Sequence, residues 1–348
     1  MQQRITLKII AEKAGVNWAT VSRALNPRTA SLISEEVCRR IKRISDELGY
    51  RPSYSGRSFV TGRTYKIGMI LGNMRMDFSA HDWARIICGL SAEIQRRNYA
   101  LTLLYANGTK SMDNQVRDFL MSGVADGYVT GPSMIAGSVR DVLDKLEAPL
   151  WVVCEPGASI SDVNHVQRDD TEAFCSIWRR IPEECLNSML FFGEENGGSK
   201  VRISEILRAG AMVHPERTLK IDRMLVLRKV SYSTMQYRDA RHFALANMKE
   251  IRRHKFIWCD SDLNALGLCD ALTEVGCKVG KEIMVVGYGD LENYPDAELH
   301  ATLSTISANA EKIGAKLGVA LMNQIEGGNN RIVKVKGTFI PRDTFPVN

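Results

Sequence analysis

The sequence predicts a small three-helix N-terminal unit followed by a larger α/β body with parallel sheets. Residues 6–50 carry apolar side chains at helical spacing, and from Tyr65 onward strand-like and helix-like segments alternate. Charge divides the chain in the same way. Residues 1–63 contain 12 Lys and Arg against 5 Asp and Glu, a net charge of +7, whereas the rest has a net charge of −1. At 348 residues, the chain is also too long for one domain of ordinary size.

The composition is that of a soluble globular protein. Apolar residues make up 45% and charged residues 25%, which excludes a fibrous or wholly disordered chain. The longest apolar runs, 151–154 and 256–259, are too short for a transmembrane helix, and the N-terminus lacks the apolar core of a signal peptide. Eight cysteines without a Cys-x-x-Cys pair argue against a zinc finger or a disulfide framework. We therefore expect a cytoplasmic protein with reduced thiols.

The basic N-terminal unit is predicted to contain a helix-turn-helix. Apolar residues recur at helical spacing over 7–14, and Gly15 can end this first helix with a positive φ. The second helix begins after Asn17, a plausible N-cap, so only a short turn lies between the two and the helices must cross steeply. The third helix follows the cap Ser34 and ends before Gly49.

The second helix carries residues suited to contact with DNA. A short polar face on a basic scaffold can touch phosphates and base edges, and Trp18 makes little sense as a solvated residue at the first turn of an isolated helix. A generic amphipathic three-helix bundle is the alternative, and the composition of this helix decides against it. The face consists of Trp18, Ala19, Thr20, Ser22, Arg23 and Asn26.

A family resemblance rests on four segments: residues 6–26 (TLKIIAEKAGVNWATVSRALN), ISEEVCRRI and ELGYRP within 33–52, and residues 56–64 (GRSFVTGRT). Together they resemble the DNA-binding head of the lactose/galactose-repressor (LacI/GalR) family. The resemblance implies that the second helix lies in the major groove, with Trp18 and Ala19 as the variable base readers and Arg23 as a base-contacting arginine. It implies phosphate contacts from Thr20, Ser22 and Asn26, and the predicted DNA-contacting set further includes Thr6, Asn17 and Tyr50.

Two features of the head depart from the family pattern. Ile9 replaces the acidic residue that is usual in the first helix, and the segment between Asn26 and Ser34 is about two residues longer than usual. The second departure affects the backbone contacts that this loop would make with DNA.

Residues 51–63 join the head to the body. By composition alone they could be a flexible linker, but the resemblance makes them a hinge helix that orders when it pairs with its dimer mate on operator DNA. Phe59 takes the position of the family's leucine wedge, which opens a base step from the minor groove, and Arg57 is a predicted DNA contact. Gly56 replaces the usual alanine, which lowers helix propensity by about 1 kcal/mol.

The body resembles the effector-binding part of the same family, two doubly wound subdomains joined by three crossing strands, as in periplasmic binding proteins. The segments that carry this resemblance include ADGYVTGP (125–132), FIWCDSDLNALG (256–267) and VVGYGD (285–290). We expect a head at 1–50, a hinge at 51–63 and a body at 64–348. The body's subdomains are predicted at about 64–163 with 306–327, and at about 164–305 with 328–348.

Within the body, three local predictions bear on the site. Residues 138–146 are predicted as an α-helix and 332–339 as one strand, while the glycines at 193, 197 and 198 are interpreted as a plain loop. The acidic pairs 169/170 and 260/262 are interpreted as helix caps rather than as metal ligands or an acid/base pair.

Ligands in such folds bind in the cleft at the carboxyl ends of the strands. Sugar-binding family members carry polar clamps where this chain has Leu207, Ser261 and Gly289, so a standard monosaccharide pose is not expected. The remaining candidates for binding a small polar effector are Arg208, Tyr232, Asp262 and Asp290. An alternative interpretation is that these four are ordinary surface or helix-end residues.

The sequence contains no nucleophile elbow, phosphate loop or His-Glu-x-x-His motif, so neither an enzyme nor a cofactor or metal site is predicted. We expect a sequence-specific transcriptional regulator, a repressor, that binds a pseudo-palindromic operator as a homodimer and responds to a small polar effector. The alternatives are a solute-binding receptor-like protein, which would need an export signal and no basic head, and an effector-independent DNA-binding regulator.

Overall fold

The computed structural model describes residues 5–26, 29–50, 58, 61–71, 81–106, 112–131, 135, 137–154, 163–194, 197–227, 233–291, 302–329 and 331–346. The chain divides into two compact units, a head at 1–64 and a body at 65–348. Within the described ranges, no helix is both long enough and apolar enough to cross a membrane.

The head contains the three predicted helices, α1 (Leu7–Ala14), α2 (Trp18–Leu25) and α3 (Glu35–Glu47), with a 3₁₀ turn at Ala30–Leu32. Gly15 ends α1 with a φ of 64°, the left-handed region in which glycine is unstrained. Ser34 precedes α3 as predicted, but its side chain makes no capping hydrogen bond.

One apolar cluster holds the three helices together. Ile10 of α1, Val21 of α2 and Ile41 of α3 are all completely buried. Because α2 contributes only one side to this cluster, its opposite side remains at the surface. The buried members are Ile10, Ala11, Ala14, Val21, Ala24, Cys38, Ile41 and Ile44.

The body is built on two six-stranded sheets, as the alternating pattern predicts. The first sheet has the order β11-β5-β4-β3-β1-β2, and all of its strand pairs are parallel. Its strands are β1 (Lys66–Leu71), β2 (Ala100–Tyr105), β3 (Gly127–Thr130), β4 (Leu150–Cys154), β5 (Asn164–Asp169) and β11 (Ile332–Lys336).

The second sheet has the order β12-β10-β9-β8-β6-β7, and only β12 runs antiparallel to its neighbour among the described pairs. Its strands are β6 (Met189–Glu194), β7 (Arg223–Leu227), β8 (Phe256–Cys259), β9 (Met284–Tyr288), β10 (Ser304–Ser307) and β12 (Thr338–Ile340).

Helices cover both sheets and define two lobes. The first lobe comprises the first sheet with α4 (His81–Gln95), α5 (Met112–Met121) and α11 (Ala310–Ile325). The second lobe comprises the second sheet with α6 (Thr171–Trp178), α7 (Gly197–Val213), α8 (Ser233–Ala246), α9 (Met248–Ile251) and α10 (Asp262–Glu274). The prediction of a plain loop at the glycines 193, 197 and 198 is wrong, because Gly193 lies in β6 and the other two are the first residues of α7.

The segment predicted as an α-helix at 138–146 is instead a 3₁₀ helix, Gly137–Lys145. The segment is rich in aspartate and β-branched valine, which are poor α-helix formers, and this weakens the preference for the wider helix. A further 3₁₀ turn spans Glu183–Cys185.

Within the described ranges, the chain passes between the lobes three times, at Asp170, at 308–309 and at Gly337. The strands on the approach to two of these crossings, β5 and β11, lie in the first sheet, whereas the sequence analysis placed 164–169 and 332–336 in the second subdomain. That placement is wrong because β5 pairs with β4, a choice of partner that hydrophobic periodicity does not encode.

The segment predicted as one strand at 332–339 is two strands in different sheets, β11 and β12, separated by Gly337. A side chain at this position would overlap the carboxylate of Asp170. Glycine therefore allows two of the three crossings to lie in contact.

Candidate functional site

The outward side of α2 forms the candidate nucleic-acid interface. Val21 and Ala24 face the head core, while Trp18, Arg23 and Asn26 are exposed. Trp18 is 51% exposed, so its ring is accessible for contact with a partner. The interface has an aromatic ring at one end and a guanidinium group about 1.4 helical turns later.

Hydrogen bonds fix both ends of α2. At the N-terminus, the Asn17 side chain accepts a hydrogen bond from the backbone N–H of Ala19 at 3.0 Å, as predicted for an N-cap. At the C-terminus, the Thr29 hydroxyl donates to the carbonyl of Arg23 at 3.0 Å. Hydrogen bonds from neighbouring residues of the head therefore fix the helix that carries Trp18, and no partner is needed for this.

The other predicted DNA-contacting residues have different surroundings. Ala19, Thr20 and Ser22 are half-buried on α2. Thr6 is exposed at the start of α1 and makes no capping hydrogen bond. Tyr50 is half-buried against the head core, and its N–H donates to the carbonyl of Ser45 at 2.9 Å. Arg57 and Phe59, the predicted hinge contacts, lie outside the described residues.

Most of the Lys and Arg side chains that the structure describes in the head are solvent-exposed. Arg39 and Arg43 on α3 form i,i+4 ion pairs with Glu35 at 3.4 Å and with Glu47 at 3.7 Å, in which all four side chains are well exposed. Exposed pairs of this kind contribute little and do not remove the field of the head at a distance. The head therefore presents a net positive potential to an anionic partner.

In the body, Asp262 is the most deeply buried of the predicted effector residues that the structure describes. It begins α10 directly after β8 and is only 2% exposed. Its carboxylate accepts a hydrogen bond from the Thr305 hydroxyl at 2.6 Å and one from the backbone N–H of Leu291 at 2.9 Å. Burial raises the pKa of Asp262 from 3.8 to about 6, against the opposing effect of these two donors.

The structure brings Asp290 close to Asp262. The backbone N–H of Asp290 donates to the Thr305 hydroxyl at 3.4 Å, so Thr305 links the two aspartates. The carboxylate of Asp290 pairs with Arg342 at 3.0 Å, and Arg342 also donates to the carbonyl of Leu303. Both predicted aspartates therefore lie at the carboxyl ends of neighbouring strands and already have partners within the protein.

Arg208 lies on a different element and is exposed. It sits on α7, where its guanidinium group is 3.6 Å from Glu205 and 3.5 Å from the Thr171 hydroxyl. Burial, followed by the nearby charge of Asp170, raises the pKa of Glu205. Tyr232 lies outside the described residues.

The acidic pairs predicted as helix caps mostly have other roles. Asp169 does accept a hydrogen bond from the backbone N–H of Thr171 at 3.2 Å, but Asp170 makes no capping bond and instead accepts one from the Tyr288 hydroxyl. Asp260 accepts hydrogen bonds from the backbone N–H of Glu194 and from the Asn264 amide, and thereby connects the end of β6 to the first turn of α10. The cap prediction fails here because these carboxylates find partners on other strands and helices.

The cap of α10 is Ser261 rather than the predicted Asp260 or Asp262, and its hydroxyl accepts a hydrogen bond from the backbone N–H of Asn264 at 3.3 Å. Sequence reasoning also missed a buried cluster around Tyr288, in which Arg168 donates to the Tyr288 hydroxyl and the Arg202 guanidinium lies 3.7 Å from the ring centroid. The one available signal was Arg168 itself, a charged residue near the end of a buried strand. No group of potential ligand side chains in the described ranges could hold a metal ion.

Comparison with known proteins matches both units of the chain. Residues 6–53 match the family described as "Bacterial regulatory proteins, lacI family", and residues 206–345 match "Periplasmic binding protein-like domain". The HTH-type transcriptional regulator RegA of Clostridium saccharobutylicum is 24% identical over 92% of this chain and 93% of its own. The HTH-type transcriptional repressor PurR of Vibrio campbellii is 24% identical over 97% of this chain and 98% of its own.

Two solved structures show the same fold at low sequence identity. A Lac repressor dimer, bound to operator and the anti-inducer ONPF, superposes with a TM-score of 0.74 at 16% identity, over 99% of this chain and 100% of that one. A complex of the transcriptional regulator CelR with cellobiose superposes with a TM-score of 0.62 at 18% identity, over 98% and 100% of the two chains. The curated relatives named above are transcriptional regulators, and none is described as an enzyme.

Proposed function

Because the chain belongs to the LacI family of bacterial regulatory proteins, we propose that it represses transcription by binding a pseudo-palindromic DNA operator. The observation that carries this proposal is the outward side of α2, where Trp18 and Arg23 lie exposed on a head of net charge +7. A helix of this kind fits the major groove and can reach base edges with its first turns. The proposed location is the cytoplasm.

The proposal includes a homodimer. One helix-turn-helix covers only a half-site, and two heads related by a twofold axis read an inverted repeat. The matched Lac repressor structure is a dimer on its operator, which supports the same assembly here. Light scattering at micromolar concentration should give the mass of two chains. A monomer that still binds operator DNA with full affinity would refute the dimer.

The DNA interface is tested by Arg23→Ala, with Arg43→Ala as its matched control. Both arginines are exposed in the head, but Arg23 lies on the outward side of α2 and Arg43 lies on α3 in an ion pair with Glu47. If Arg23 reads a base, its loss should weaken operator binding by roughly 5- to 150-fold, the equivalent of about 1–3 kcal/mol, with a much smaller effect on random DNA.

The measurement is fluorescence anisotropy on an operator enriched from random DNA and on a shuffled duplex of equal length, at several salt concentrations. The log–log salt slope should be steep, since each neutralised phosphate contributes about −0.9. Arg43→Ala should weaken both duplexes slightly and equally. An equal loss on both duplexes for Arg23→Ala would show that Arg23 contacts a phosphate rather than a base.

We also propose that the body cleft binds a small polar effector other than a standard monosaccharide, near Arg208, Tyr232, Asp262 and Asp290. The support is that Asp262 and Asp290 follow the ends of β8 and β9, the edge at which ligands bind in open α/β sheets. The matched CelR structure is a complex with cellobiose, so this fold accommodates small polar ligands.

The effector proposal is tested by Asp290→Ala with a panel of metabolites and the enriched operator. The variant should lose the effector-induced change in operator affinity, typically about 5- to 150-fold, and keep its ligand-free binding. Because Asp290 is paired with Arg342, the thermal stability of Asp290→Ala and Arg342→Ala must be measured alongside. If both variants lose stability and ligand-free DNA binding equally, Asp290 has a structural role and does not bind the effector. A wild-type protein insensitive to the whole panel would favour an effector-independent regulator.

A further inference from the structure

A buried polar cluster connects the two lobes at the point where the chain first crosses between them. Arg168, near the end of β5 in the first lobe, donates from Nη2 to the hydroxyl of Tyr288, the last residue of β9 in the second lobe. From Nη1 it donates to Asp82 at 3.2 Å, on the first turn of α4 in the first lobe. One guanidinium group thus binds partners on both sides of the cleft.

Tyr288 is fixed from two further directions. Its hydroxyl donates to Asp170, which occupies the first crossing. The guanidinium group of Arg202, on α7 of the second lobe, lies 3.7 Å from the ring centroid, while that of Arg168 lies 4.9 Å from it. Arg202 also donates to the carbonyl of Asp260 at the end of β8. These contacts hold the Tyr288 hydroxyl in position to accept the hydrogen bond from Arg168.

The side chains of this cluster are largely buried, which makes loss of the contact between Arg168 and Tyr288 costly. The Arg168 side chain is 6% exposed and that of Asp170 is 1% exposed, while Asp82 retains 30% exposure. Loss of the Tyr288 hydroxyl would leave a buried N–H of Arg168 without its hydrogen-bond acceptor, which costs free energy, so Arg168 favours arrangements in which Tyr288 stays within reach. Separation of the lobes would carry Tyr288 away from Arg168.

We propose that Arg168, Asp82, Asp170 and Tyr288 form a cleft latch that holds the two lobes together without any bound ligand. The latch lies beside the hinge itself, since Asp170 at the first crossing contacts Gly337 at the third. Opening of the cleft then requires Arg168 to leave the Tyr288 hydroxyl, and the strength of this contact sets the fraction of open molecules. The inference concerns the body alone and does not depend on DNA binding or on an effector.

The test uses two variants of the full chain, each of which removes one of the two partners in the hydrogen bond between Arg168 and Tyr288. Tyr288→Phe removes only the shared hydroxyl and keeps the ring against Arg202. Arg168→Met keeps a long apolar side chain and removes the charge. The matched control is Arg179→Met, which removes an exposed arginine from an ion pair with Glu172, at 2.7 Å, within the second lobe.

The readout is the distance between the lobes, measured by double electron–electron resonance. Spin labels are attached at two substituted exposed positions, Lys145→Cys in the first lobe and Lys220→Cys in the second. The background replaces the exposed Cys88 and the partly exposed Cys269 by serine. Both latch variants should add a second, shifted distance population, and the double variant should shift no further than the single ones. Arg179→Met should give the wild-type distribution.

Thermal unfolding of the same proteins separates a latch from a purely structural ion pair. If both latch variants lose thermal stability but keep the wild-type distance distribution, the cluster only stabilises a fixed arrangement and the latch does not exist. If Arg168→Met shifts the distribution but Tyr288→Phe does not, the Tyr288 hydroxyl is not the contact that closes the cleft, which would also overturn the proposal.

Discussion

Helices α4 and α11 of the first lobe meet at two glycines, and Gly89→Ala should destabilise the body. An ideal Cβ at Gly89 would overlap the carbonyl oxygen of Glu311 and lie 2.9 Å from the backbone nitrogen of Ala315. A Cβ at Gly314 would overlap the carbonyl of Ile86 in the same way and lie 2.8 Å from the nitrogen of Leu90. The two backbones are therefore in reciprocal contact.

The size of the effect follows from what would have to move. The obstacles at Gly89 are backbone atoms of α11, which cannot rotate away as a flexible side chain would. The whole helix must shift, and it carries Ile313, Leu317 and Leu321, all essentially buried, into the first-lobe core. Overpacking of this kind costs about 1–3 kcal/mol, and more when backbone obstructs it. Alanine regains up to about 1 kcal/mol of helix propensity, so a cost in the upper part of that range leaves an expected net loss of about 1–2 kcal/mol.

The assay is urea unfolding followed by tryptophan fluorescence. Cys88→Ala is the control, because Cys88 is the exposed neighbour of Gly89 on the same helix and should change the free energy of unfolding very little. Gly314→Ala should cost about as much as Gly89→Ala. The double variant should cost less than the two single losses combined, since one shift of α11 relieves both overlaps. A Gly89→Ala protein as stable as Cys88→Ala would show that the helices do not pack backbone to backbone.

Two further predictions concern single interactions. Asn17→Ala should destabilise the head by about 1 kcal/mol in thermal unfolding, because its side chain caps α2, whereas Ser34→Ala, which removes no capping bond, should cost clearly less; equal losses would contradict this. The free energy of unfolding should also contain an Asp262 contribution that falls as pH rises. The folded pKa of about 6 exceeds the usual 3.8, so between these values the folded state holds a proton that the unfolded state has lost. This contribution amounts to about 1 kcal/mol between about pH 5 and about pH 7.5, and Asp262→Asn should abolish it in urea unfolding at both pH values. An unchanged pH dependence in the variant would show that Asp262 does not carry it.

The local elements were largely predictable, because each depends on signals within a few residues. The three head helices follow from apolar spacing, the N-cap Asn17 and the left-handed Gly15, and all three signals are visible in the sequence. Strands such as Lys66–Leu71 and Gly127–Thr130 follow from short apolar runs bounded by polar turns.

The arrangement between lobes was not predictable, because it depends on pairings between distant residues. Nothing near β5 or β11 indicates which sheet they join, and Gly337 separates two strands that appear continuous in sequence. For the same reason, the contact between Arg168 and Tyr288 across the cleft was not predictable. Arg168 and Tyr288 are 120 residues apart, and Asp170 is drawn from a capping role to the Tyr288 hydroxyl by that tertiary contact.

The most direct test of the central proposal is to sequence the DNA fragments that the purified protein enriches from a random pool, for the wild type and for Trp18→Ala. If paired heads read DNA through α2, the wild type should enrich one inverted repeat. Trp18→Ala should relax the preference at symmetry-related base pairs in both half-sites and leave the other positions unchanged. An enriched motif without inverted symmetry, or one that Trp18→Ala leaves identical at every position, would contradict the proposal.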